Sequence, residues 1–196
     1  MLNSTRRVVI TGMGGISPVG SDWVEIEANL RACRSGVRYM DEWDEYSGLN
    51  TRLGAPVADF ELPAHYDRKP RRSMGRVSQL ATRASELALA DAGLISDPVL
   101  TSGRAGVSYG SSTGATDSIR DFGHMFHSKS TDGIGGNTYI RMMPHTTAVS
   151  IGMFFRMTGR ILPSSTACTS GSLSIGLAYE AIKFGFQDVM VAGGSE

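Results

Sequence analysis

A layered α/β domain is the fold class the sequence predicts, and three observations point to it. Short apolar, β-branched runs alternate with longer amphipathic stretches, several runs stop on glycine, and the order strand, turn, helix recurs through the second half of the chain. Composition agrees: the 196 residues are 41% hydrophobic and 19% charged, which is ordinary for a globular chain and unlike a disordered or membrane one. One soluble domain over residues 1–196 is expected.

The elements follow in order. Arg7-Val-Val-Ile-Thr11 is β-branched and ends on Gly12-Met-Gly-Gly15, so a buried strand running into a tight turn is expected there. Asp22 with Glu25 forms a capping-box pattern, and Trp23, Ile26 and Leu30 at helical spacing carry a helix toward Gly36, with Cys33 near its end. Pro56, Pro63 and Pro70 forbid a long helix over residues 37–70, which leaves loops and a short hairpin. Ser73 caps a helix Met74–Ala92, in which Val77, Leu80, Ala81, Ala84, Leu87 and Ala88 repeat at three- and four-residue steps before Gly93 stops it.

Ala105–Tyr109 reads as a second core strand, and Gly110-Ser-Ser-Thr-Gly114 as a turn opening a helix near Ala115. Ser128–Asn137 is small and polar, hence a loop. Thr146–Met157 is an apolar helix, and Gly159 precedes a strand from Arg160 to about Ser165. The pattern closes with Cys168, a helix Ser170–Phe184, Gly185 and a strand Val189–Ala192. No fixed-period repeat is present.

Several function classes are excluded early. Basic and acidic side chains balance at 19 each, so no global field favours nucleic acid. The two cysteines, Cys33 and Cys168, lie far apart without metal-ligand spacing, which argues against a disulfide framework or a zinc site and suits a reducing cytoplasm. Met1–Arg7 precedes only Val8–Ile10 before glycine, too short for a signal core or a membrane span, so no targeting segment is expected. Gly110–Gly114 lacks the lysine of a phosphate loop and the spacing of a dinucleotide fingerprint.

Chemistry concentrates at Pro163-Ser-Ser-Thr-Ala-Cys-Thr-Ser-Gly171, where a cysteine stands between a strand and the first turn of an apolar helix. Leu173, Ile175, Leu177, Ala178, Ala181 and Ile182 predict that this helix is buried. The first N–H groups of a helix have no internal partner and carry partial positive charge, so they stabilise an anion, here a thiolate. The same groups can stabilise the oxyanion formed when a thioester carbonyl is attacked. Ala167, Ser170 and Gly171 leave room for a sharp turn and for substrate. The bland alternative is a small buried hydrophobe, the usual state of a free cysteine, and it is the better reading for Cys33. Ser165, Ser170 and Ser195 are weaker nucleophiles because nothing nearby supplies a base.

Thr166-Ala-Cys-Thr-Ser-Gly171, with Arg7-Val-Val-Ile-Thr-Gly-Met-Gly14 before it and Asp188-Val-Met-Val-Ala-Gly-Gly-Ser-Glu196 after it, resembles the β-ketoacyl-[acyl-carrier-protein] synthases of the elongating type. The resemblance runs from Arg7 to Glu196 and implies a thiolase-like fold, of which this would be the N-terminal half: a mixed five-stranded sheet with helices on both faces. It also implies that Cys168 accepts an acyl chain from carrier protein and that malonyl-carrier protein is decarboxylated to a carbanion that attacks the acyl-cysteine. The family's two catalytic histidines and its lysine belong to the second half; His65, His124, His127 and His145 match none of them, and solvent-facing or hydrogen-bonding roles are expected for all four. The 196 residues alone are therefore expected not to condense.

Further roles come by the same resemblance. Five cations fall within nine residues at Arg68-Lys-Pro-Arg-Arg-Ser-Met-Gly-Arg76; composition alone reads them as a solvated helix entrance, whereas the family docks acyl carrier protein there, at Arg68, Lys69 and Arg72. Thr113 and Thr169 are implied to bind substrate, Thr113 along the acyl channel. Tyr139–His145 departs from common fatty-acid synthases and resembles aryl-polyene synthases, which leaves a conjugated or aromatic acyl chain beside fatty acyl chains. A homodimer, or a heterodimer with a related synthase, is implied, and no metal or organic cofactor. Competing readings are a thiolase acting on coenzyme A thioesters, a noncatalytic chain-length partner and a structural fragment.

Overall fold

The structure is a computed structural model that describes residues 6–58 and 60–196. Most of the expectation about Met1–Arg7 thus lies outside the described residues. The chain forms two compact units: residues Gly14–Leu62, and the described residues up to Met13 together with Pro63–Glu196.

The smaller unit contains helix α1, Trp23–Arg31, and a two-stranded antiparallel ribbon of β1, Arg38–Tyr39, and β2, Leu53–Gly54. Asp22 accepts the Glu25 N–H at 2.9 Å as expected, but the Glu25 carboxylate reaches back to the Ser21 N–H instead of that of Asp22. The helix stops five residues short of Gly36, because Cys33 takes a left-handed φ of 54° and ends it. The hairpin expected in this stretch is present as β1 and β2.

The regular elements of the larger unit start with a single turn, α2, Arg68–Arg71, followed by α3, Arg76–Asp91. Ser73 does not cap α3. Its hydroxyl donates to the Pro70 carbonyl, closing the preceding turn, so α3 starts after Gly75. Gly93, at φ 70°, stops the helix as expected. Then come β3, Ala105–Gly110; α4, Thr116–Ser128; α5, Gly136–Met142; α6, Thr146–Phe154; β4, Ile161–Ser164; α7, Ser170–Lys183; and β5, Val189–Gly194.

The sheet of this unit is parallel, in the order β4-β3-β5, with Val107 of β3 level with Ile161 and Val191. Every residue of β3 is buried, as a central strand covered on both faces should be. Ala81 and Leu89 of α3, Ala148 and Ile151 of α6, and Val107, Tyr109 and Val191 of the sheet form the core, with Leu100 and Met157.

Two expectations are corrected. Arg7–Thr11 is not a strand: it has no ladder partner among the described residues, and Val9 and Ile10 are 61% and 81% exposed. Among the described residues the sheet is thus a parallel three-stranded one, with the short ribbon separate. Helix α7 is buried only on its small-residue side, where Ser170, Ser174, Ala178 and Ala181 lie one above another at helical spacing. Leu173, Ile175 and Tyr179 are exposed, because the sheet covers one face of the helix and no described residue covers the other.

Candidate active site

The strand register brings three loops to one place. Gly110 is level with Ser164 and with Gly194, so the segments leaving the C-terminal ends of β3, β4 and β5 emerge side by side. In open parallel sheets this edge is where ligands bind, because the loops there are free to vary while the strands hold them.

Cys168 stands in the segment leaving β4, two residues before α7 begins, and it is exposed. Exposure removes the reading of Cys168 as a buried hydrophobe. Ala167, just before it, takes a left-handed φ of 51°, which for a residue with a side chain costs about 1–2 kcal/mol. A network of short bonds holds that turn. The Thr169 N–H donates to the Thr166 carbonyl at 3.2 Å and the Ser170 N–H to the Ala167 carbonyl at 3.0 Å. The Ser170 hydroxyl also donates to Ala167 and accepts from the Thr166 N–H at 2.8 Å. Beneath it, the Ser164 hydroxyl donates to the Ser170 carbonyl and meets the Ser174 hydroxyl, each at 2.8 Å. With Leu173 N–H bonded to the Thr169 carbonyl, the N–H groups of Gly171 and Ser172 keep no protein acceptor among the described residues.

Glycines let this turn sit close to the sheet. A Cβ on Gly110 would stand 2.5 Å from the carbonyl carbon and oxygen of Ser170, and one on Gly194 would stand 2.9 Å from the Cα of Gly171. The start of α7 therefore rests on bare backbone at the ends of β3 and β5.

Thr113 is exposed at the tip of the turn after β3. That turn is joined to the Cys168 segment through the Ser165 hydroxyl, which donates to the Ser112 carbonyl at 3.4 Å, and to the end of β5 through Glu196, whose carboxylate accepts from the Ser112 N–H and the Ser111 hydroxyl. Thr169 is the N-cap residue of α7, but its hydroxyl turns back to the Thr166 carbonyl at 2.7 Å and caps nothing. Thr113 and Thr169 are thus brought to the same sheet edge as Cys168.

Arg68, Lys69, Arg71 and Arg72 are exposed and make no ion pair among the described residues. They belong to α2 and its end, not to the loops around Cys168. All four histidines are exposed, and His65 bonds Glu86, in keeping with the solvent-facing or hydrogen-bonding roles expected of them.

Sequence reasoning missed Glu86. Burial pushes its carboxyl up, yet hydrogen bonds from Arg83, His65 and Tyr66 outweigh that and hold it below the usual carboxylate range. Glu86 lies opposite the apolar repeat of Val77, Leu80, Ala81 and Ala88, so local pattern carried no signal for it. The contacts at Gly110 and Gly194 were also missed, since no local pattern shows that two distant glycines face one helix start.

The family model described as the N-terminal domain of beta-ketoacyl synthase matches residues 5–196. The chain is 32% identical over 199 residues to 3-oxoacyl-[acyl-carrier-protein] synthase 1 of Haemophilus influenzae, covering 97% of this chain and 47% of that protein. Among solved structures it superposes on a β-ketoacyl synthase from Burkholderia phymatum STM815 with a TM-score of 0.91 and 55% identity, over 95% of this chain and 46% of that one. It also superposes on the ishigamide ketosynthase/chain length factor with a TM-score of 0.86 and 30% identity, over 98% and 48% of the two chains. The chain spans about half the length of the curated relatives it matches.

Proposed function

Because the chain belongs to the β-ketoacyl synthase family, as its N-terminal domain, we propose that the whole protein is a 3-oxoacyl-[acyl-carrier-protein] synthase in which Cys168 is the nucleophile. The observation that carries this is an exposed cysteine on a strained turn, ahead of a helix whose first N–H groups are free, at the C-terminal edge of a parallel sheet. The sulfur attacks an acyl thioester of the carrier protein, the free amides stabilise the oxyanion, and the carrier thiol leaves. A malonyl thioester then loses carbon dioxide, and the carbanion attacks the acyl-cysteine to give the 3-oxoacyl product and the free thiol. Thr113 and Thr169 line the acyl path, and Arg68, Lys69 and Arg72 dock the acidic face of the carrier protein.

Decarboxylation requires groups that stabilise the carbanion, which the resemblance puts in the other half of the protein; the 196 residues alone load an acyl group at most. The five-stranded sheet belongs to the same proposal. The outer edge of β5 has no partner among the described residues, which leaves an edge for further strands. A dimer, with itself or with a related synthase, and a cytoplasmic location complete the reading; no helix among the described residues is long and apolar enough to cross a membrane. The presence of an exposed Cys168 disfavours a noncatalytic chain-length partner. An aryl-polyene chain remains one of the acyl substrates to test.

The test is to supply the whole protein with acyl- and malonyl-carrier proteins and follow carbon dioxide and 3-oxoacyl-carrier protein. Both products appear on this reading. Turnover of the coenzyme A thioesters alone, with carrier-borne substrates inert, would move the protein to the thiolases.

A further inference from the structure

The basic segment has little cohesion of its own. Helix α2 is a single turn whose flanking bonds, Arg71 N–H to Asp67 and Arg72 N–H to Lys69, are 3.4 Å long, and no side chain caps its N-terminus. One isolated turn is unfavourable without outside support, because several dihedrals are fixed for very few hydrogen bonds. Its position must come from the residues on either side.

On the C-terminal side stands Met74, buried at the entrance to α3. On the N-terminal side stand His65 and Tyr66, and both are held by one carboxylate of α3. Glu86 Oε1 meets His65 Nε2 at 2.5 Å, and Oε2 accepts from the Tyr66 hydroxyl at 3.0 Å and from Arg83 at 2.5 Å. The Tyr66 ring is 2% exposed and stacks on Phe154 of α6 with centroids 4.4 Å apart. Tyr66 is two residues from Arg68, so fixing its ring and hydroxyl fixes the point from which the cationic turn leaves the body of the unit.

We propose that Glu86 is a positioning residue for carrier-protein docking, holding His65 and Tyr66 so that Arg68, Lys69 and Arg72 are presented in one fixed arrangement. This rests on the reading that the carrier protein docks on that segment. Preorganised cations lose less freedom when they meet an acidic partner, so the effect falls on recognition of the carrier and not on the chemistry at Cys168.

The experiment uses the whole protein, with KM and kcat measured for one acyl group on the carrier protein and on a pantetheine thioester. Glu86→Ala is expected to raise the carrier-protein KM about tenfold, and Tyr66→Phe, which keeps the ring stacked, about threefold, with both pantetheine parameters unchanged. His65→Ala, altering an exposed residue, is expected to raise the same KM if the larger change at Glu86 fails to fold. Unchanged carrier-protein KM in the folded variants, or equal changes for both substrates, would overturn the inference. Charge reversal at Lys69 and Arg72 separates the two claims. No effect on the carrier-protein KM sinks the docking reading itself, whereas a rise there with no effect at Glu86, Tyr66 or His65 sinks only the role of Glu86.

Discussion

Replacing Gly110 by alanine tests whether bare backbone at the end of β3 sets the position of the candidate nucleophile. The added Cβ would meet the Ser170 carbonyl at 2.5 Å, and ordinary contact begins near 3.4 Å, so the start of α7 must retreat by about 0.9 Å. Both sides of the clash are backbone, in a sheet strand and a helix start, so no flexible side chain can absorb it. Overpacking of this kind costs about 1–3 kcal/mol, and at about 2–4 °C per kcal/mol for a chain of this size Tm falls by about 2–12 °C. A displacement of about 1 Å at a reacting atom lowers rates on the order of a hundredfold. The assay is the rate of acyl loading from carrier protein, followed by intact mass, together with thermal unfolding. A Gly110→Ala variant that loads at the native rate with an unchanged Tm would refute the reasoning.

Three further outcomes follow from the same structure. Gly123 lies inside α4, and a Cβ added there would have nothing within 4 Å, so Gly123→Ala raises stability by about 0.5–1 kcal/mol in denaturant titration. Burial pushes the Tyr109 phenol up to about 12, so its contribution is complete below its ordinary value of 10.0 and is lost as pH rises through 12; Tyr109→Phe removes that step from the alkaline limb of the stability curve. The Glu86 carboxyl is held low, so its contribution is present above the ordinary carboxylate value of 4.5 and is lost on acidification; Glu86→Gln flattens the acid limb.

What was legible in the sequence is what local pattern encodes. The repeat of Val77, Leu80 and Ala81, the run Ala105–Tyr109 and the cysteine between a strand and a helix each depend on neighbours a few residues away, and α3, β3 and the start of α7 lie where those patterns put them. Arg7–Thr11 carries the same β-branched signal, but a strand exists only where a partner completes its ladder, and none is present among the described residues. The apolar face of α7 misled for a related reason: periodicity reports which side could be buried, while burial needs a second surface, and among the described residues Leu173 and Ile175 stay exposed. At the site, Cys168 was found from its turn. Glu86 and the contacts of Gly110 and Gly194 join residues far apart in the chain, which only the folded structure brings together.

The reading as a whole stands on one covalent bond. Incubating the whole protein with an acyl-carrier protein and mapping the adduct by mass spectrometry should place one acyl group on the peptide containing Cys168, and Cys168→Ala should carry none. Full acylation of the alanine variant, or an adduct mapped to a serine of the same loop, would contradict it.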